Sequence, residues 1–357
     1  MRYSFLINGL IGGGTEKVCK LLANELSIKG HYITLYVFDN ETRERFNLHQ
    51  NVNLIFLGKK NSLASFSVLK HLIPHIKTAS ILVFNHELAL SLFFAKLATR
   101  SPIKIISRMN NTFSMTIKFK RFTYRIVVNL LMKIFYRYMD HYIFQSEGIK
   151  ADLVENYSVK GDSTLLPNPI DIPQGGDKSA NKNKILYVGR LVKQKNIKDL
   201  LDVVHSIVSI NPAILLTIVG DGPERSDLEQ YVLKLNLNNN VNFVGQTQQV
   251  QQYYLESSLT LLTSFNEGFP NVLLESIANG VPVVSYDCPS GPSEIIQNGI
   301  NGFLVEYLNK VDLEKRIIEG LNYHWEFNLL IKSIHRFRTK SVVLSYENLL
   351  SQYEKGL

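Results

Sequence analysis

The sequence predicts an α/β protein with two parallel sheets, one in each half of the chain and each covered by helices. Strand-like and helix-like runs alternate through both halves, the pattern of parallel strands joined by helical crossovers. At 357 residues the chain exceeds what one hydrophobic core usually organises. Between the two series, Pro167 to Lys184 is rich in Pro, Gly, Asn, Asp and Lys and has little to bury, which makes it the domain boundary.

In the first half the expected strands are Tyr3–Ile7, Ile33–Val37, Val52–Phe56, Ile81–Phe84, Lys104–Ser107 and Tyr142–Phe144, with a helix over Glu16–Ser27 after the first. The second series restarts with Ile185–Val188, then Leu215–Val219, Val241–Val244, Leu259–Leu262 and Val281–Ser285. Asn271–Ala278 reads as a helix, because Pro270 suits a first turn and Val272, Leu273 and Ile277 recur at helical spacing. Ser345–Tyr353 reads as a last amphipathic helix. The expected division is therefore 1–167, 168–344 and a terminal segment 345–357.

With 45% hydrophobic and 20% charged residues, the composition is that of a folded soluble protein and excludes a disordered one. Cys19 and Cys288 lie far apart and show no metal-binding spacing. The opening strand is too short for the core of a signal segment, and no run of about 18 apolar residues suggests a membrane span. These features point to a reduced, cytoplasmic setting.

Chemistry concentrates at strand ends. Gly12-Gly13-Gly14 follows the first strand and opens a helix, so its amides can approach a diphosphate without Cβ interference; a tight turn without a ligand is the other reading. It is neither a dinucleotide fingerprint nor a P-loop, and Asp39 lies two residues past the second strand. Gly189-Arg190 and Lys195 follow the first strand of the second half, where the carboxyl ends of parallel strands form a ligand crevice and two cations suit phosphates. A solvated basic loop is the alternative, and Lys193 and Lys198 fit it. Val219-Gly220-Asp221-Gly222-Pro223 follows the next strand. Glu267 and Glu275 stand eight positions apart, flanking a helix start whose amides suit oxygen-rich groups.

Taken in order, these motifs, together with Pro167-Asn168-Pro169 and Gly291-Pro292-Ser293-Glu294 followed by Asn298-Gly299 and Asn301-Gly302, resemble the retaining glycosyltransferases of family 4. The resemblance runs from Gly12 to Gly302 and implies the GT-B fold, two Rossmann-like domains facing across a cleft, with the last helix crossing back to the first domain. It implies that Arg190 and Lys195 stabilise the departing diphosphate. It assigns Glu267 to the donor hexose and Glu275 to the ribose hydroxyls. The donor-binding set then includes Gly13, Gly14, Gly189, Gly220 and Gly268, with the Phe269, Pro270, Asn271 and Val272 backbone following the sugar and phosphates. Glu294 either binds donor or caps a helix beginning at Ile295. Family members retain anomeric configuration by front-side attack and need no dedicated nucleophile, and no Ser-His-Asp or Cys-His constellation is evident here. No Asp-x-Asp occurs in the chain, so neither a metal nor another cofactor is expected.

On the acceptor side the chain departs from the family. Where many members place a His, it reads Arg108-Met109-Asn110-Asn111, so Arg108, Asn110 and Asn111 become candidate polar groups there, and His86 after the preceding strand becomes a candidate cleft residue or a structural histidine. Between Glu87 and Asp140 there is no acidic residue and there are ten Lys or Arg, an asymmetry that the net charge of +8 conceals. Residues 117–138 interleave these cations with aromatic and aliphatic residues. Such a stretch suits the anionic inner face of a cytoplasmic membrane; a core helix with a solvated basic face is the alternative. No nucleic-acid module is recognisable.

The expected activity is transfer of a hexose or N-acetylhexosamine from a nucleotide diphosphate sugar, most plausibly UDP-linked, to a lipid-linked glycan of a bacterial capsule, O-antigen or other surface polysaccharide. An inverting GT-B enzyme or a nucleotide-sugar 2-epimerase is the nearest enzymatic alternative, disfavoured by the ordered Arg190, Lys195, Glu267 and Glu275. A non-catalytic lipid- or nucleic-acid-binding protein is the alternative from another class.

Overall fold

A computed structural model describes residues 1–10, 13–38, 48–58, 62–173 and 181–355. Gly12 and Asp39, singled out above, lie outside the described residues. The chain divides into two compact units, Met1–Pro169 with Thr339–Leu357, and Ile170–Arg338.

The first unit is built from β1 (Arg2–Ile7), α1 (Gly14–Ile28), β2 (Tyr32–Val37), β3 (Val52–Phe56), α2 (Ser62–Leu72), β4 (Ser80–Val83), α3 (His86–Thr99), β5 (Lys104–Met109), α4 (Phe113–Thr116), α5 (Phe122–Phe135), β6 (His141–Phe144), α6 (Glu147–Tyr157) and β7 (Ser163–Leu165). Its seven strands are all parallel, in the order β3-β2-β1-β4-β5-β6-β7. Strand order reverses direction between β1 and β4, and that point opens a crevice at the carboxyl ends of the strands. Strands β4 and β6 are buried throughout, as expected of parallel strands covered on both faces.

One face of this sheet packs Leu6, Val83 and Ile105 against α2, α3 and α6. The other packs Phe5, Leu35 and Ile106 against α1 and the last helix of the chain. That helix spans Thr339–Glu354, six residues longer at its start than the pattern from Ser345 indicates. It buries Val342, Val343, Tyr346, Leu349 and Leu350. At its end the Glu354 carboxylate accepts the Ala79 and Ser80 amides at 3.0 and 2.9 Å and the Ser80 hydroxyl at 2.8 Å, which caps the start of β4.

The second unit contains β8 (Asn181–Val188), α7 (Ile197–Ile210), β9 (Leu215–Val219), α8 (Arg225–Lys234), β10 (Val241–Gly245), α9 (Val250–Glu256), β11 (Ser257–Leu262), α10 (Asn271–Ala278), β12 (Val283–Tyr286), α11 (Pro292–Ile295), β13 (Gly302–Val305), α12 (Lys310–Asn322) and α13 (Phe327–Ser333); the last helix, α14 (Thr339–Glu354), is the one already placed in the first unit. Six parallel strands run in the order β10-β9-β8-β11-β12-β13, reversing between β8 and β11. The short edge strands β7 and β13 were not anticipated: three or four residues carry too little periodicity to stand out from a loop. No helix among the described residues is long and apolar enough to cross a membrane.

Helix α5 is amphipathic in an uncommon way. Tyr124, Val128, Leu131, Met132 and Phe135 face the core. On the outer face Phe122, Ile126, Val127, Leu130 and Ile134 are 40 to 66% exposed, at helical spacing and beside Arg121, Arg125 and Lys133. The reading of α5 as a core helix with a merely basic outer face is therefore incomplete, because that face is apolar as well. Three cations of the acid-free interval are engaged elsewhere. Lys96 and Lys104 hold Asp140 at 2.8 and 3.0 Å, and Arg108 is buried.

Candidate active site

In the second unit the polar residues gather where strand order reverses. Gly189, Arg190 and Lys195 follow β8; Glu267 follows β11 and precedes α10. The loops after β8 and β9 interlock through backbone bonds, Gly189 N–H to Val219 O at 2.9 Å and Leu191 N–H to Asp221 O at 2.9 Å. Gly220 has φ +140°, and a Cβ there would stand 1.9 Å from the Gly189 carbonyl oxygen. One at Gly222 would stand 2.4 Å from Leu191 O. These glycines exist for close approach of one backbone to another.

Lys195 ends a 3-10 turn, and Asn196 at φ 48° begins the turn into α7. This loop is stitched to the one after β11: Thr263 Oγ1 donates to the Lys195 and Asn196 carbonyls at 3.3 and 3.1 Å, Phe265 N–H to Gln194 O at 2.8 Å, and Gln194 Nε2 to Asn266 O at 2.8 Å. The stitches bring Lys195 Nζ to Glu267 Oε1 at 2.5 Å. Ser264 Oγ donates to the same oxygen at 2.6 Å. Only 15% of the lysine side chain and 8% of the glutamate side chain reach solvent, so the pair is largely desolvated and its two charges depend on one another. Arg190 is exposed and makes no ion pair among the described residues.

Helix α10 starts as expected, with Pro270 as its N-cap and Glu267 in the loop before it. Gly268 O accepts from Ser290 Oγ at 2.8 Å, and the Phe269 ring is buried edge-on against Phe337. Gly291, at φ +98°, lets this loop lie against Pro270, whose Cδ would be 2.5 Å from an added Cβ. Asn271 and Val272 are half-buried in the first turn, and Glu275 one turn on accepts from the Tyr254 hydroxyl at 3.3 Å. Burial, and then the Glu275 carboxylate, push the Tyr254 phenol well above its ordinary range, so it is a permanent donor. Glu294 lies within the single turn of α11, which ends at Ile295. No helix begins at Ile295, so the capping role considered for Glu294 is withdrawn.

In the first unit Gly13 is the N-cap of α1 and Gly14 its first residue, at the carboxyl end of β1. His86 is the first residue of α3, after β4, with Asn85 Oδ1 capping the Glu87 amide at 2.7 Å. The two helix starts and the end of β5 enclose a cavity of about 180 Å³ lined by Thr15, Glu16, His86, Asn110 and Asn111 among others. His86 Nε2 is buried without a partner, and the ring packs edge-on against Phe113. Burial, aided by the Lys120 charge, lowers its pKa to about 4, so the imidazole is neutral at physiological pH. Asn110 Nδ2 donates to Phe84 O at 2.6 Å.

Arg108, the other acceptor-side candidate, also lines this cavity, and its side chain is buried. Its Nε donates to Tyr346 Oη at 2.8 Å, Nη1 to Asn110 Oδ1, and Nη2 to Asn168 Oδ1 at 2.5 Å. The amide of Gln145 turns its oxygen to Nη1 and Nη2 at 2.8 and 3.0 Å, since the reverse orientation would set donor against donor. All five donors are thereby used within the protein. Arg108 joins β5, α14 and Pro167-Asn168-Pro169 rather than presenting its charge. Among the described residues no group of three His, Cys, Asp or Glu could hold a metal ion. Ser264, Tyr254, Gln145 and Tyr346 are the residues that sequence reasoning missed. Only Ser264, three residues before Glu267 in the same loop, carried a local signal.

Two Rossmann-like units, each a parallel sheet covered by helices, are the architecture of the GT-B fold. Residues 12–174 match the family described as Glycosyltransferase Family 4, and residues 170–332 the one described as Glycosyl transferases group 1. Together they span residues 12–332, so the chain carries a Glycosyltransferase Family 4 domain followed by a Glycosyl transferases group 1 domain. A lipopolysaccharide 1,6-galactosyltransferase of Salmonella typhimurium is 35% identical over 56% of this chain and 58% of its own. The Campylobacter jejuni N-acetylgalactosamine-N,N'-diacetylbacillosaminyl-diphospho-undecaprenol 4-alpha-N-acetylgalactosaminyltransferase is 27% identical over 93% of this chain and 92% of its own. Among solved structures, Anabaena HepE in complex with UDP superposes with a TM-score of 0.76 at 19% identity, covering 99% of this chain and all of that one.

Proposed function

We propose that the protein is a retaining, metal-independent hexosyltransferase that takes a hexose or N-acetylhexosamine from a UDP-sugar and adds it to a lipid-linked glycan during bacterial surface-polysaccharide synthesis. The observation that carries this reading is the largely buried Lys195–Glu267 pair where strand order reverses in the second unit, in the loop leading to the helix that presents Glu275. A cation there gains strength as charge develops on a departing diphosphate, while carboxylates accept sugar hydroxyls. The UDP bound by HepE and the undecaprenyl diphosphate acceptor named for the Campylobacter relative support the choice of donor and acceptor. Metal independence rests on the lack of Asp-x-Asp in the sequence.

The outer face of α5 supports peripheral attachment to an anionic inner membrane. Its exposed aromatic and aliphatic side chains can enter the headgroup region while Lys118, Lys120, Arg121, Arg125, Lys133 and Arg137 meet lipid phosphates. A soluble acceptor would leave this apolar face unexplained.

Thermal melting tests the donor assignment. UDP, with chelator present, is expected to raise the melting temperature by mass action, more than GDP or ADP. No shift with any of the three, or a shift only with magnesium or manganese, overturns it. A panel of UDP-hexoses then identifies the sugar by UDP release, and the anomeric configuration of the product decides between retention and inversion.

A further inference from the structure

We propose that Ser264 is a positioning residue for sugar transfer, holding Glu267 and through it Lys195 in the reactive arrangement. The inference rests on the transferase reading above. Ser264 is fully buried in the loop leaving β11, and its Oγ donates to Glu267 Oε1 at 2.6 Å, the oxygen that Lys195 Nζ approaches at 2.5 Å. Two donors on one carboxylate oxygen share its charge. Thr263, the preceding residue, binds the Lys195 and Asn196 carbonyls. Adjacent hydroxyls thus fix the two members of the pair separately, Thr263 the lysine backbone and Ser264 the glutamate side chain.

The consequence concerns the ammonium. Lys195 carries a point charge on a flexible stem, and its position is set by what its charge faces. With the Ser264 hydroxyl in place, Glu267 holds one rotamer and only part of its charge is directed at Nζ. Without it, the carboxylate loses one of its restraints and directs more of its charge at the ammonium, drawing it away from a leaving phosphate. The loss falls on the step in which phosphate charge develops. Binding of UDP in the ground state, which the exposed Arg190 and Glu275 serve, is untouched.

The test compares wild type, Ser264→Ala, Ser264→Thr, Glu267→Gln and the double variant Ser264→Ala/Glu267→Gln. The probes are UDP release from UDP-glucose, UDP-galactose and their N-acetylhexosamine counterparts, and the melting shift induced by UDP alone. Ser264→Ala is expected to lower kcat about 10- to 100-fold, as removal of a hydrogen bond to a charged group does, with KM and the UDP shift within about twofold. Ser264→Thr keeps the hydroxyl and should recover kcat to within about threefold of wild type. In the Glu267→Gln background the same Ser→Ala change should cost less than about threefold, because the hydroxyl acts through the carboxylate. Undiminished kcat in Ser264→Ala, a raised KM alone, or an equal cost with and without the carboxylate overturns the inference. Should Ser264→Ala fail to fold, Ser264→Cys against Ser264→Thr carries the same comparison. A wild-type protein silent to UDP and inert toward every donor removes the transferase reading and this inference together; an active wild type with an unaffected Ser264→Ala removes the inference alone.

Discussion

Lys195 and Glu267 were assigned separate duties by the family resemblance, one to the diphosphate and one to the hexose. In the folded chain they share one contact, and neither charge can be altered without stranding the other. Lys195→Ala is therefore expected to lower both kcat, by ~10²–10³, and the melting temperature. Adding Glu267→Gln should restore most of the melting temperature without restoring kcat, since it removes the unpaired buried charge but not the need for a cation at the leaving group. UDP-release kinetics and thermal melting on the three proteins check this; recovery of kcat along with stability would show that the pair is purely structural. Glycines at this scale separate just as sharply. Gly220→Ala should cost more than ~3 kcal/mol, because its Cβ would collide with the Gly189 carbonyl at 1.9 Å. Gly30→Ala, also at positive φ but with open space around it, should cost about 1 kcal/mol, read from urea denaturation.

Helix α5 behaves as an element with two masters. Its inner residues are committed to the core, and its outer apolar residues at positions 122, 126, 130 and 134 form a stripe that water solvates poorly. Replacing Lys118, Lys120, Arg121, Arg125, Lys133 and Arg137 by Gln should release the protein from anionic vesicles, each cation contributing on the order of 1 kcal/mol. Ile126→Ser with Leu130→Ser should weaken binding and reduce its salt-insensitive part, while any UDP-induced melting shift should persist, since the proposed donor residues Arg190, Lys195 and Glu275 belong to the second unit. Co-sedimentation at low and high salt reads both. Persistent binding of the six-fold variant at low salt would mean that α5 is not the attachment face.

At the scale of the whole molecule, acid stability reports on buried histidine. His86 has a folded pKa of about 4 against an ordinary 6.5, so the unfolded chain binds the proton more readily. Its contribution is complete above pH 6.5 and declines as pH falls towards 4. Asp140 acts later: burial alone would raise its pKa, but bonds from Lys96, the Ile105 amide and Lys104 more than offset this and hold it below the usual value, so its contribution disappears only as pH falls below about 3.8. Urea denaturation should show stability falling between pH 7 and 5, and His86→Gln should reduce that decline while leaving the share of His141, whose pKa burial also lowers, and the loss below pH 4. An equal decline in wild type and variant between pH 7 and 5 would contradict the burial of His86.

Much of the architecture was legible in advance. Strands buried on both faces form continuous apolar runs, so most β-strands, the two-unit division and the start of α10 at Asn271 are determined by local pattern together with Pro270. The strand-end positions of Gly189, Arg190, Lys195 and Glu267 follow from the same alternation, and Glu275 falls within α10. What only the tertiary structure decided is which of these groups meet. Lys195 and Glu267 are 72 positions apart, and their contact depends on β8 and β11 being neighbours, a long-range pairing that no local period encodes. Arg108 was legible only as a candidate polar group; its burial, rare for a charged side chain, required Tyr346, 238 positions away, and Asn168 to supply acceptors. The face of α5 left to solvent likewise depended on how many of its apolar residues the core could accommodate, and that limit is set by the packing of α3 and α6 against it.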